Sequence, residues 1–141
     1  MGPFTVSATL PSSFQVTNWN SITAINRSAP LTVSWTGSGF DRVLIHAQGF
    51  TIAGGTVTNV TVSCAVAANL GSYTIPAAAL ALLPATANGV FVVTAGPSAG
   101  GVVSAVSSTS QSLTPSLVGG GSINYGAFVA FLGTTKSVPV Q

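Results

Sequence analysis

Few side chains in this chain can move a proton, attack a carbonyl or hold an ion. The acid, base and thiol groups of interest are Asp41, His46 and Cys64, and the cations are Arg27, Arg42 and Lys136. Acid–base catalysis by paired carboxylates needs two of them. With one aspartate and no glutamate, a single chain has no such pair. Zinc sites take three or four His, Cys or acidic ligands, and calcium takes several carboxylates. His46, Cys64 and Asp41 are the whole supply, and strand alternation sets Cys64 and His46 on opposite faces. No metal or cofactor site is therefore expected. A Ser or Cys nucleophile would use His46 as its base, yet no GxSxG elbow occurs. Cys64 lies among valines in NVTVSCAV, which reads as a small buried hydrophobe. No cation stands near it in sequence to favour a thiolate. The expectation is that the chain is not an enzyme.

The glycine-rich stretches GPSAGG (96–101) and VGGGS (118–122) match neither phosphate-binding pattern and precede no helix, so they read as hairpin turns. Three dispersed cations make no basic patch, which excludes nucleic acid.

Two tryptophans raise ligand stacking. Trp35 shares a face with Leu31 and Val33 and reads as core. Trp19, in TNWNS, is flanked by polar residues. Packing against the sandwich edge is the favoured reading for it, and it is also the candidate ligand-stacking residue, for a saccharide above all. Lys136, the sole lysine, raises an Asn–Lys isopeptide crosslink promoted by Asp41, against a plain solvated lysine. The sequence does not name the asparagine. Asn26-Arg27-Ser28 and Asn59-Val60-Thr61 match the glycosylation pattern, which in a bacterial protein reads as chance.

The elements that must position these residues follow from composition and period. The length of 141 residues fits one domain spanning 1–141, with residues 1–20 as an added edge strand or linker. That length buries enough surface for a core without disulfides or metal. Only 3% of residues are charged and the net charge is +2, against about 25% charged in typical domains. Ser, Thr, Gly and Asn solvate the surface instead. So little charge gives little repulsion between copies, which points to an extracellular or assembled state. The start, MGPFTVSATL, lacks the basic and apolar regions of a signal peptide. An exported form would be an excised piece or mature chain. Every apolar run is interrupted well short of a membrane span, so no membrane insertion is expected.

Alternation dominates. Leu31, Val33 and Trp35 share one face; so do Val43, Ile45 and Ala47, with Leu44, His46 and Gln48 opposite; so do Val60, Val62, Cys64 and Val66. This is the period of half-buried strands. GVFVVTAG (89–96) is apolar on both faces, as a central strand would be. Further strands are expected near 4–9, 14–18, 22–26, 102–107, 123–132 and 135–140, with turns at TGSGFD, AGG, NLGS and TANG. SYTIP reads as a short strand. Pro76 then opens a helical turn, Ala77–Leu83 are helix formers, and Pro84 ends it. This short crossover helix near 77–83 is expected to lay Leu80 and Leu83 over one end of the core. It is too short and lacks the basic face of a membrane helix.

INRSAPLTVSWTGSG (25–39), VSCAVAANLGSYTIPAAALALLPATANGVFVV (62–93) and INYGAFVAFLGTTKSVPVQ at the end resemble a recurrent C-terminal domain of large secreted proteins of soil bacteria. The family pattern runs N-R-x-x-P, a W-T/S-G strand end, a Cys strand, A-G-x-[FY]-T-[IV]-P, then L-x-x-LP. Asn69-Leu70-Gly71 departs from the A-G step. The resemblance covers about residues 20–141 and its motifs are structural. It implies an all-β, immunoglobulin-like β-sandwich displayed at the bacterial cell surface or outside the cell. It implies no activity.

Three functions compete. The first is a non-enzymatic extracellular structural or interaction module for surface display, adhesion or matrix, its partner a protein (including itself) or an extracellular polysaccharide. The second is a self-assembling fibre or shell subunit, in which the uncharged ends FTVSATL and SVPVQ add as strands to a neighbour. The third is a carbohydrate-binding module built on Trp19.

Overall fold

The computed structural model describes residues 13–96, 109–112, 127–130 and 132–141. The described strands are β1 (Phe14–Val16), β2 (Leu31–Gly37), β3 (Arg42–Ala53), β4 (Thr56–Ala67), β5 (Ser72–Ile75), β6 (Thr86–Gly96), β7 (Thr109–Ser112), β8 (Ala127–Ala130) and β9 (Leu132–Val140). One sheet has the order β1-β2-β5, a second β4-β3-β6-β9, and β7 pairs with β8 alone. All pairings between these strands are antiparallel.

The two larger sheets share one core, which makes the chain an all-β sandwich. Val16, Val33, Trp35 and Ile75 come from the three-stranded sheet, and Val43, Ile45, Ala47, Phe91, Val93, Ala95, Val138 and Val140 from the four-stranded one. The alternation read from the sequence is the cause. Val43, Ile45 and Ala47 are fully buried while Leu44, His46 and Gln48 are half-exposed on the other face. Each fully buried large side chain contributes about 1.5–3 kcal/mol of transfer free energy. The Trp35 indole N–H donates to the Ala68 carbonyl at 2.8 Å, so its polar atom is satisfied within the core.

The crossover helix is present as α1 (Ala77–Leu80), continued by a further turn in which the Leu83 N–H donates to the Leu80 carbonyl. It links β5 of one sheet to β6 of the other. Leu80 and Leu83 are fully buried, whereas Leu82 is 70% exposed. The insert closes one end of the core, as its leucine spacing predicts.

Some expectations change. TANG is no turn: residues 86–89 lie inside β6, and the register against β9 shifts between Thr86 and Gly89. The irregularity takes up the turn-forming residues as a bulge. Residues 22–26 form no strand; Ile25 alone makes a parallel bridge, to Val140. SVPVQ is no free end either. Ser137–Val140 pair with β6, and the Ile25 N–H donates to the Pro139 carbonyl on the opposite edge. The expected strands at 4–9 and 102–107, the FTVSATL end and the turn at 118–122 lie outside the described residues.

Candidate functional site

The residues with chemical potential sit at separate places. Within the four-stranded sheet the outward row Ser63–His46–Val92–Thr135 runs beside the inward row Cys64–Ile45–Val93–Thr134. His46 and Cys64 thus lie on opposite faces, as alternation predicts. His46 Nδ1 lies 2.9 Å from the Ser63 hydroxyl, while its Nε2 is buried with no hydrogen-bond partner among the described residues. Burial holds the imidazole below its ordinary pKa. Protonation would put a second N–H into that unpartnered position, so the neutral ring is favoured. A serine and a histidine in contact resemble the start of a nucleophile–base pair. Among the described residues Nε2 has no hydrogen-bond partner, so none of them stands as a third group to orient the base.

Cys64 is half-buried and packs against the core. Burial raises its thiol pKa, which favours the protonated thiol over the nucleophilic thiolate. Asp41 and Arg42 stand at the start of β3, where the Asp41 carbonyl accepts from the Ala68 N–H at 2.9 Å. Arg27 donates to the Ala81 carbonyl at 3.3 Å, tying the chain before β2 to the turn after α1. Among the described residues no three His, Cys, Asp or Glu side chains gather where a metal ion would fit. No described helix is long and apolar enough to cross a membrane.

Trp19 stands in a turn between β1 and β2, and it is half-buried against the core rather than freely exposed. Its ring stacks on Phe91 with centroids 5.9 Å apart and planes inclined by 25°. The Lys136 ammonium lies 4.5 Å from the indole centroid and donates to the Trp19 carbonyl. Phe91 and Lys136 are register partners on adjacent strands, so one side chain from each receives the indole. Burial lowers the Lys136 pKa; the ring and carbonyl are the contacts that retain its charge.

Beside this cluster a cleft of about 320 Å³ opens between β1 and the first half of β9. Trp19, Gln15, Thr17, Asn20 and Thr134 bring to it an aromatic ring, amides and hydroxyls, with no ionic group among the lining residues. The sequence pointed to Trp19. It did not point to Thr134 or Gln15, because only the pairing of β1 and β9 with different partners brings them to one seam.

A second surface escaped the sequence reading. β3 and β4 run in unbroken register from Arg42–Ala67 to Ala53–Thr56, but β6 accompanies β3 only as far as Gln48–Val90. Beyond that pair, β3 and β4 continue as a ribbon. Near its tip the cross-strand partners Ile52 and Val57 are 69% and 63% exposed. A scan of protein-family models found no match to the chain, and searches of the curated proteins and of the solved structures found none either.

Proposed function

We propose that this chain is a non-enzymatic structural or interaction module, exported and displayed at a bacterial surface or in an extracellular matrix. The projecting ribbon carries the reading. Two adjacent apolar side chains exposed at the end of a hairpin lower the solubility of a free domain and favour contact with another protein. The near absence of charge supports the same conclusion, as does the separation of His46, Cys64 and Asp41. The strand order supports an immunoglobulin-like assignment: β1-β2-β5 corresponds to A-B-E, and β4-β3-β6-β9 to C′-C-F-G. Trp35 departs from that pattern, since it stands on the second strand rather than the third. The resemblance to secreted soil-bacterial C-terminal domains agrees with export.

The test is a contact assay with the ribbon altered. Ile52→Ser combined with Val57→Ser is expected to abolish adhesion of the displayed domain to protein-coated surfaces and to leave thermal stability unchanged. Turnover of an ester, glycoside or peptide that disappears in His46→Ala would overturn the reading.

The cleft beside Trp19 favours a second reading, a carbohydrate-binding module. Saccharides are recognised by an aromatic ring together with neutral amides and hydroxyls, and those groups line the cleft. Retention on an insoluble polysaccharide, lost in Asn20→Ala and Thr134→Ala, is the expected result. Absence of retention on any polysaccharide removes it.

A further inference from the structure

The two edges of the four-stranded sheet are built differently. The β9 edge carries devices that block strand addition: Lys136, Pro139, and a strap in which Ile25 bonds Pro139 and Gln141 while the Arg27 N–H donates to the Gln141 carbonyl. Its partner β6 is also irregular between Thr86 and Gly89. The β4 edge carries none of them. It runs for 12 residues with no charge, no proline and no break in register, and β3 is its one neighbour among the described strands. Natural sheets rarely leave so long and regular an edge open unless something pairs with it.

The hairpin turn shows which backbone groups are offered. Gly54 and Gly55, at φ of +55° and +79°, make the two-residue turn, and Ala53–Thr56 close it. The closing pair of such a turn is hydrogen-bonded. Stepping by two along β4, Thr58, Val60, Val62, Cys64 and Val66 turn their N–H and C=O groups toward β3. The Ala68 N–H bond to the Asp41 carbonyl continues that series. Val57, Asn59, Thr61, Ser63 and Ala65 turn theirs outward. Among the described residues none of these outward groups has a backbone partner.

The side chains repeat symmetrically about Ser63. Val60, Val62, Cys64 and Val66 lie on the core side, all half-buried, while Thr61, Ser63 and Ala65 lie on the exposed side. We propose that β4 pairs antiparallel with β4 of a second copy of this chain, across a two-fold axis at Ser63. Thr61 then faces Ala65 of the second copy in a hydrogen-bonded pair. Val62 faces Cys64 and Val60 faces Val66 on the core side, where non-hydrogen-bonded partners approach most closely. This register matches all four core-side residues with apolar partners, and the two four-stranded sheets become one of eight strands. An isologous interface of this kind closes as a dimer. The inference rests on the interaction-module reading and supplies its partner, a second copy.

Ala65→Pro tests it. The substitution removes an outward N–H and leaves the β3 ladder intact, because Cys64 and Val66 carry the bonds to β3. Sedimentation velocity is expected to show a dimer for the parent protein and at least tenfold weaker association for Ala65→Pro. Thr61→Lys, which places a charge on the same edge, is expected to weaken association equally and serves if the proline variant does not fold. Ser63→Cys in a Cys64→Ala background is expected to give a disulfide-linked dimer on mild oxidation. Association that both edge variants leave unchanged overturns the β4 pairing while leaving the interaction-module reading standing on its ribbon assay. A monomer at every concentration overturns the pairing too, and the adhesion assay then decides the broader reading separately.

Discussion

The Lys136 ammonium lies over the Trp19 indole and donates to the carbonyl of that same residue, bonding β9 to a turn 117 positions earlier in the chain. One lysine thus satisfies a backbone acceptor and covers an aromatic ring. Replacing it tests whether the turn is held there or only packed against Phe91. Lys136→Met keeps most of the side-chain volume and removes both polar contacts. It is expected to lower stability by about 1–2 kcal/mol and to shift Trp19 emission to longer wavelength. Urea denaturation followed by fluorescence, with Trp19→Phe to separate the two indoles, gives both readings.

Leu80 and Leu82 stand two positions apart, one fully buried and one 70% exposed. If α1 closes the core, the two respond differently to truncation. Leu80→Ala is expected to cost about 2–5 kcal/mol, and Leu82→Ala less than about 0.5 kcal/mol. Equal costs in chemical denaturation would mean that the insert does not close the core as described.

His46 makes stability depend on pH. Its folded pKa is lowered from 6.5 by burial. Above the unfolded value both states are neutral and pH has no effect through this residue. As pH falls through 6.5 the unfolded chain binds the proton first, so stability falls, and the loss levels off only below the folded pKa. Denaturation midpoints measured from pH 8 to pH 5 are expected to drop for the parent protein. His46→Gln, which keeps a partner for Ser63, is expected to flatten that drop.

Gly89 stands where the register of β6 shifts. An added Cβ there would come within 2.6 Å of the Val140 side chain, 2.8 Å of the Val138 carbonyl and 2.9 Å of the Gln48 carbonyl. Two of these neighbours are backbone on strands to either side, so neither yields easily. Gly89→Ala is expected to cost about 2–3 kcal/mol. Gly54→Asn, at a turn position with nothing within 4 Å of an added Cβ, is expected to be nearly neutral because asparagine tolerates that conformation. Thermal denaturation of the two variants makes the comparison.

Much of the sandwich was legible because one face of each strand is buried. Val43, Ile45 and Ala47 had to point inward together, and a change of register by one residue would have exposed them all. Val90 and Val92 betrayed a central strand, since β6 lies between β3 and β9 and both its faces are partly covered. The Pro76–Pro84 insert was readable from its leucine spacing. TANG misled because turn-forming residues also suit a bulge, and only pairing with β9 separates the two. Trp19 is half-buried against the core, in keeping with the edge packing its sequence context suggested, but the sequence did not show what it packs against. Phe91 and Lys136, which half-bury it, are remote in sequence. That β4 is an edge strand among the described residues was hidden for a related reason. The sequence shows which residues form strands, whereas edges depend on the order in which those strands assemble.

The strap across the end of β9 also has a mechanical consequence. The Ile25 N–H donates to the Pro139 carbonyl and the Ile25 carbonyl accepts from the Gln141 N–H, with the Arg27 N–H adding a third bond to the Gln141 carbonyl. Tension drawn along the chain from Gln141 runs nearly parallel to these strands. It loads the three bonds in shear at the same moment instead of peeling them in succession. A domain so fastened is expected to resist a pull applied through Gln141 more strongly than one whose end pairs by a single bond.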